Sequence, residues 1–136
     1  MSKSDLDVVK SLYAFVAAGD FDGMRSLIHP EVTLIEPESL PYGGRYEGQV
    51  GFVDLFTQLG ATWDDFSCTE FEYFIGEGAV VVTLRFKAIA RKTRRPIDTR
   101  ISELWRVRDG LISFLEPFYF DTHAAREAVG VNSLHT

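Results

Sequence analysis

One cysteine, Cys68, stands in 136 residues, which excludes an internal disulfide and leaves no paired Cys/His spacing of the kind a zinc site needs. The three histidines, His29, His123 and His135, are scattered, so no metal site is expected. A lone thiol fits a reducing compartment. Basic charge is also in deficit, because 14 Lys and Arg against 20 Asp and Glu give a formal charge of -6. Such a chain repels nucleic-acid phosphates and anionic bilayers at long range, and neither partner is expected. Long hydrophobic runs are missing as well. No segment approaches the ~20 apolar residues of a membrane span. The opening stretch mixes acids among apolar side chains, unlike the apolar core of an export signal. The expected location is the cytoplasm.

What the chain does have is 46% hydrophobic and 13% aromatic content, enough at this length for one hydrophobic core and a single domain over 1–136. Ser2 or Ser4 can cap a first helix whose Leu6, Val8, Val9, Leu12, Tyr13, Phe15 and Val16 cover half its circumference at 100° per residue. Gly19 and Asp20 stop it. A short helical piece through Met24, Leu27 and Ile28 then ends at Pro30. Val32 to Glu36 alternates as a strand with Val32, Leu34 and Glu36 on one face. The segment from Pro37 to Gly51 is dense in Pro and Gly and reads as a loop. A helix with Phe52, Leu55, Phe56 and Leu59 on one side follows. Period two then gives four antiparallel strands near 69–75, 79–91, 97–108 and 111–119, with Asp109-Gly110 as a hairpin mark. The fold class is α+β, a curved antiparallel sheet wrapped around N-terminal helices, leaving a cone as the candidate site.

Alternation places Ile101, Glu103, Trp105 and Val107 on one face of their strand, and Ile112, Phe114, Glu116, Phe118 and Phe120 on one face of the next. Each row holds a carboxylate among apolar neighbours, as does the row ending in Glu36. Desolvation in an apolar cavity raises a carboxyl's pKa and suits it to proton transfer near neutral pH. The plainer reading is that each Glu pairs with a neighbouring Arg or Tyr or sits at the rim. For ring surface and hydroxyl donors the candidates are Tyr13, Tyr42, Tyr46, Trp63, Trp105 and Tyr119, most of them also natural packing residues. Tyr42 and Tyr46 flank the Gly-rich segment expected at the cavity mouth. The ligand-binding set is Tyr13, Tyr42, Tyr46, Trp63, Trp105, Phe114, Glu116 and Phe118. Arg91, Lys92, Arg94 and Arg95 read as a solvated hairpin tip, since no aromatics interleave them. The glycines from Gly43 to Gly51 lack the lysine and spacing of a nucleotide site.

Through the AAGDFDGMRSLIHPEVTLIEP stretch, the PYGGRYEG motif followed by Gly51, and the ending ELWRVRDGLISFLEPFY, the chain resembles the nuclear transport factor two-like superfamily. This is the cystatin-like cone shared by steroid delta-isomerases, SnoaL-like polyketide cyclases and limonene epoxide hydrolases. The resemblance implies an acidic base at Glu36 and a second acid at Glu103, or Ser102 if the hairpin shifts by one residue. The family's phenolic donor on the first helix falls, by count, on Leu12, with Tyr13 one residue off. No cofactor is implied. The expected function is a cofactor-independent isomerase or cyclase acting on a small apolar organic molecule; the alternatives are a ligand-binding or sensing module and a protein-interaction domain. Epoxide hydrolysis is disfavoured, because Arg85, Arg100 and Arg106 fall on the face away from the cavity. Val81 and Ile89 on that outer face, with the family's habit of pairing through its sheets, suggest a homodimer.

Overall fold

A computed structural model describes residues 4–130; Ser2 and His135 lie outside the described residues. Helix α1 (Asp5–Ala18) is capped by Ser4, whose side chain accepts the Asp7 N–H at 3.2 Å. Gly19 ends the helix in the left-handed region at φ 68°, where a side chain would be strained. Val8, Val9 and Leu12 form its buried stripe. Helix α2 (Phe21–Ser26) stops before the expected Pro30 boundary, because strand β1 (Ile28–Glu36) already begins at Ile28. Pro30 sits where the β1 register is irregular, between the pairs formed by Ile28 and Thr33, so its missing N–H costs no ladder bond.

The Gly-rich segment is not loop throughout. Strand β2 (Gly44–Glu47) pairs antiparallel with β1, matching Glu36 with Gly44 and Leu34 with Tyr46. Local composition concealed this strand, since its reason for existing is the edge of β1. Helix α3 (Gly48–Thr62) follows, then strands β3 (Trp63–Gly76), β4 (Ala79–Ala90), β5 (Pro96–Arg108) and β6 (Leu111–Tyr119), and a short α4 (Thr122–Val129). The sheet order is β2-β1-β6-β5-β4-β3; β1 runs parallel to β6 and the other neighbours are antiparallel. Strand β3 starts earlier than period two suggests, because bulges between Asp64 and Ser67 and between Thr69 and Glu72 interrupt its alternation. Asp65 and Glu70 adopt positive φ at those two places, 51° and 55°. Helix α4 was not expected. Its marks were nevertheless present, Asp121 capping the Ala124 N–H at 3.0 Å and Gly130 closing at φ 87°.

One phase error in the sequence reading has consequences. Trp105 opposes Leu115 and Arg106 opposes Phe114, but Val107 opposes Ile112, so Ser113 is an extra residue. This bulge flips the remainder of β6. Leu115, Pro117 and Tyr119 lie across from Trp105, Glu103 and Ile101 on the inner face, whereas Phe114, Glu116 and Phe118 face outward. Phe118 is 53% exposed. Phe114, Glu116 and Phe118 are therefore not cavity residues.

The basic tip is tied down in part. Arg91 and Arg94 pair with Asp64 at 2.8 and 2.6 Å, and Arg95 donates to the Glu127 carbonyl at 2.9 Å. The outer sheet face carries Arg85, held by Asp98 through two bonds of 2.7 and 3.1 Å. No helix among the described residues is long and apolar enough to cross a membrane.

Helix α3 packs so closely on β2 that a Cβ at Gly51 would stand 2.9 Å from the Tyr46 carbonyl carbon, which is backbone and cannot swing away. A Cβ at Gly60 in the same helix meets nothing within 4 Å. Gly→Ala in a helix gains up to about 1 kcal/mol of propensity, and overpacking costs about 1–3 kcal/mol. Urea unfolding should find Gly51→Ala less stable than the parent and Gly60→Ala more stable.

Candidate functional site

The inner sheet face and the two long helices enclose a cavity of about 190 Å³. Helix α1 contributes Leu12, Tyr13 and Val16; α3 contributes Leu55, Phe56, Leu59 and Gly60; the strands supply the rest, including Trp63, Leu84, Trp105 and Leu115. Among these apolar and aromatic walls stand two carboxylates, Glu36 and Glu103, and, among the described residues, no lysine, arginine or histidine. No group of metal-binding side chains occurs among the described residues.

Glu36 ends β1 on the same face as buried Val32 and Leu34 and is itself 4% exposed. Its Oε1 has no hydrogen-bond partner among the described residues. Burial without a partner drives its pKa well above the ordinary carboxylate value, and the charge of Glu103 pushes in the same direction. Glu103, opposite Val82 on β4 and Pro117 on β6, occupies the wall; Ser102 does not. Burial raises Glu103 to about 7, and the bond it accepts from the Tyr13 hydroxyl opposes that rise. The Trp105 Nε1–H donates to the same Tyr13 oxygen at 2.9 Å. A wired carboxyl beside an unwired one divides the proton between them. Glu103 is the member that ionises first, and the charge it then carries raises Glu36 further.

Leu12 and Tyr13 both reach the wall, and Tyr13 brings the hydroxyl to Glu103, so the one-residue count to Leu12 is corrected. Trp63 and Trp105 line the cavity as expected of them. Tyr42 and Tyr46 do not form its mouth. Tyr42 is 1% exposed and fixed in the core, accepting the Trp63 Nε1–H at 3.1 Å and sharing a 2.8 Å hydrogen bond with the Tyr119 hydroxyl. Tyr46 is half-buried on β2 and donates to the Tyr42 carbonyl at 2.7 Å. Pairing of β2 with β1 converts the supposed mouth into sheet edge. Tyr119, one aromatic among six by sequence, is on the wall because the Ser113 bulge turns it inward. Cys68 also lines the cavity; burial pushes its thiol up to about 12, so it is a packing group and a poor nucleophile.

The SnoaL-like domain family matches residues 9–115. The chain belongs to that family. Similar solved structures extend the likeness over nearly all of it. A nuclear transport factor two-like protein from Burkholderia thailandensis is 25% identical, with 93% of this chain and 97% of that chain covered and a TM-score of 0.84. TerC, crystallised with polyporic acid, is 21% identical over 92% of this chain and 97% of its own, with a TM-score of 0.82. A protein of ketosteroid isomerase-like fold from Catenulispora acidiphila, in complex with trimethylamine, is 12% identical over 95% and 96% of the two chains, with a TM-score of 0.77. The last two likenesses are of fold. No curated protein matches the chain. The nuclear transport factor two-like α+β cone read from the SnoaL-like sequence is thus the fold this chain has.

The Glu103 environment fixes a pH dependence with a definite sign. Between the ordinary 4.5 and about 7 the folded chain holds a proton that the unfolded chain has released. Stability therefore falls as pH rises through that window, by up to about 3 kcal/mol for this one group. Urea melts from pH 4.5 to 8 should show the decline, and Glu103→Gln should make it shallower, the remainder coming from Glu36, whose pKa is also raised.

Proposed function

We propose that this SnoaL-like protein is a cofactor-independent enzyme of the isomerase or cyclase kind, moving a proton on a small, uncharged, ring-containing molecule held in the cone. The observation that carries the reading is the pair of cavity carboxyls with unequal wiring, Glu36 without a partner and Glu103 held by Tyr13. Groups whose environments push their acidities apart supply the two ends of a proton transfer, one bearing the proton and one able to receive it. The sequence assigned the base role to Glu36. Its lack of a partner instead makes it the proton-bearing end at rest, with Glu103 as the acceptor. Apolar walls provide ring contact, and two acids without a balancing cation disfavour a strongly anionic ligand. TerC, of the same fold, was crystallised with polyporic acid, an organic ligand in keeping with such a cone.

Uncharged ring compounds should raise the melting temperature, and multiply charged phosphates should not. On a substrate found in that way, Glu36→Gln and Glu103→Gln should each lower kcat by about a hundredfold or more, with the ligand still bound. Full turnover in both Gln variants would remove the two carboxyls from the reaction, and binding without any turnover in the parent would leave a ligand-binding or sensing module as the remaining reading.

We also propose a homodimer through the outer sheet face, where Phe74, Val81 and Leu104 form a continuous apolar row across β3, β4 and β5 and Phe118 lies exposed nearby. Light scattering at tens of micromolar should give twice the chain mass, and Phe118→Glu should shift it toward the monomer. A monomer mass for the parent chain removes the proposal.

A further inference from the structure

Trp63, Tyr42 and Tyr119 form a hydrogen-bonded line from the core to the cavity wall, and counting its protons gives it a direction. Indole nitrogen only donates, so Trp63 Nε1–H gives its proton to the Tyr42 oxygen. Tyr42 has one proton of its own and is 1% exposed, so that proton needs a protein acceptor. The Tyr119 oxygen, at 2.8 Å, is the acceptor that the described residues offer it. If the Tyr42–Tyr119 bond ran the other way, the buried Tyr42 proton would have no partner, a loss comparable to a whole hydrogen bond. Tyr42 therefore donates to Tyr119, and the Tyr119 proton is left over. No further hydrogen bond among the described residues uses it.

The backbone says where that proton is available. Leu34 of β1 pairs in parallel with Leu115 of β6. That register, carried two residues on, leads Glu36 toward Pro117, and Tyr119 is the next residue of β6 on the same inner face, about 7 Å further along the strand. Tyr119 and Glu36 both line the cavity. The Glu36 Oε1, buried and unpaired, is the second open polar atom at this end. The corresponding line from Trp105 through Tyr13 closes on Glu103 and leaves no spare phenolic proton.

We propose that Tyr119 is a ligand-contacting hydrogen-bond donor, and that with Glu36 it forms the subsite for a neutral carbonyl oxygen on the bound molecule, Trp63 and Tyr42 acting as positioning residues that aim its proton. The inference rests on the reading of the cone as a ligand site and narrows the ligand to a ring compound bearing a carbonyl. It also divides the roles within the cavity, with oxygen recognition at Tyr119 and Glu36 and proton acceptance at Glu103. The electrostatic effect of Glu36 on the Tyr119 hydroxyl, which raises its pKa beyond the rise from burial, accords with their proximity.

The test uses two probes of one shape, 2-acetylnaphthalene and 2-isopropenylnaphthalene, which differ by a carbonyl oxygen in place of a methylene. The ratio of their dissociation constants cancels packing effects that both share. The parent chain should prefer the ketone, and Tyr119→Phe should reduce that preference about threefold to tenfold, the worth of one net hydrogen bond. Tyr42→Phe should leave the ratio within twofold of the parent, since it removes a donor to Tyr119 and not the Tyr119 proton. An unchanged ratio in Tyr119→Phe overturns the proposal, as does a rise in ketone preference in Tyr42→Phe, which would mean that Tyr119 had been donating to Tyr42. If neither probe binds the parent, the ligand-site reading for uncharged ring compounds fails. Neutron diffraction from ligand-free crystals then decides the hydroxyl geometry separately: a deuteron on Tyr42 directed at Tyr119 supports the wiring, and one on Tyr119 directed at Tyr42 overturns it.

Discussion

Glu36 and Glu103 share a chamber whose other walls are apolar or aromatic and in which no cation stands, so the cost of charge there governs the rest of the site. Two neighbouring carboxylates cannot both ionise cheaply in such a place. The protein resolves the conflict by asymmetry. Glu103 receives a phenolic hydrogen bond that stabilises its charged form, while Glu36 is buried with an oxygen left unpaired and so favours the neutral form. The pH dependence of stability and the resting place of the proton follow from that division, and the proposed preference for uncharged ligands rests on it.

The two tryptophans extend the same logic to hydroxyls. Each is buried and must place one N–H, and each places it on a tyrosine. An indole fixes the acceptor side of the phenol it touches, so the phenol's own proton is directed onward. From Trp105 the line ends on a carboxylate. From Trp63 it passes through a second phenol to the wall, where the proposed direction makes Tyr119 the donor. Packing groups thereby determine the polarity of groups that meet the cavity, with no charged side chain used for the purpose.

Which residues reach that cavity was partly legible in the sequence and partly not, and the difference lies in the regularity of each strand. β1, β4 and most of β5 keep strict alternation, so Val32, Leu34, Glu36, Leu84, Glu103 and Trp105 could be placed by counting in twos. In β6 a single extra residue at Ser113 reverses every side chain after it, sending Phe114, Glu116 and Phe118 outward and Tyr119 inward. The two bulges of β3 obscured its beginning in the same way. A bulge is a property of a pair of strands, and one strand's residues do not announce it.

The sequence by itself determined the order of most elements, the helix stop at Gly19, the Asp109-Gly110 hairpin and the inward row ending in Glu36, because propensity, turn chemistry and period two are local. Tertiary structure alone decided that Gly44–Glu47 is a strand, since its partner β1 is supplied by the sheet. It also decided the wiring of the site. Tyr13 and Glu103 are 90 residues apart, and Tyr42 and Tyr119 are separated by 77, so their hydrogen bonds exist only once the sheet has curved around the helices. Residue type gives a carboxyl or a phenol its chemistry, but its proton is placed by neighbours that only the folded chain brings near.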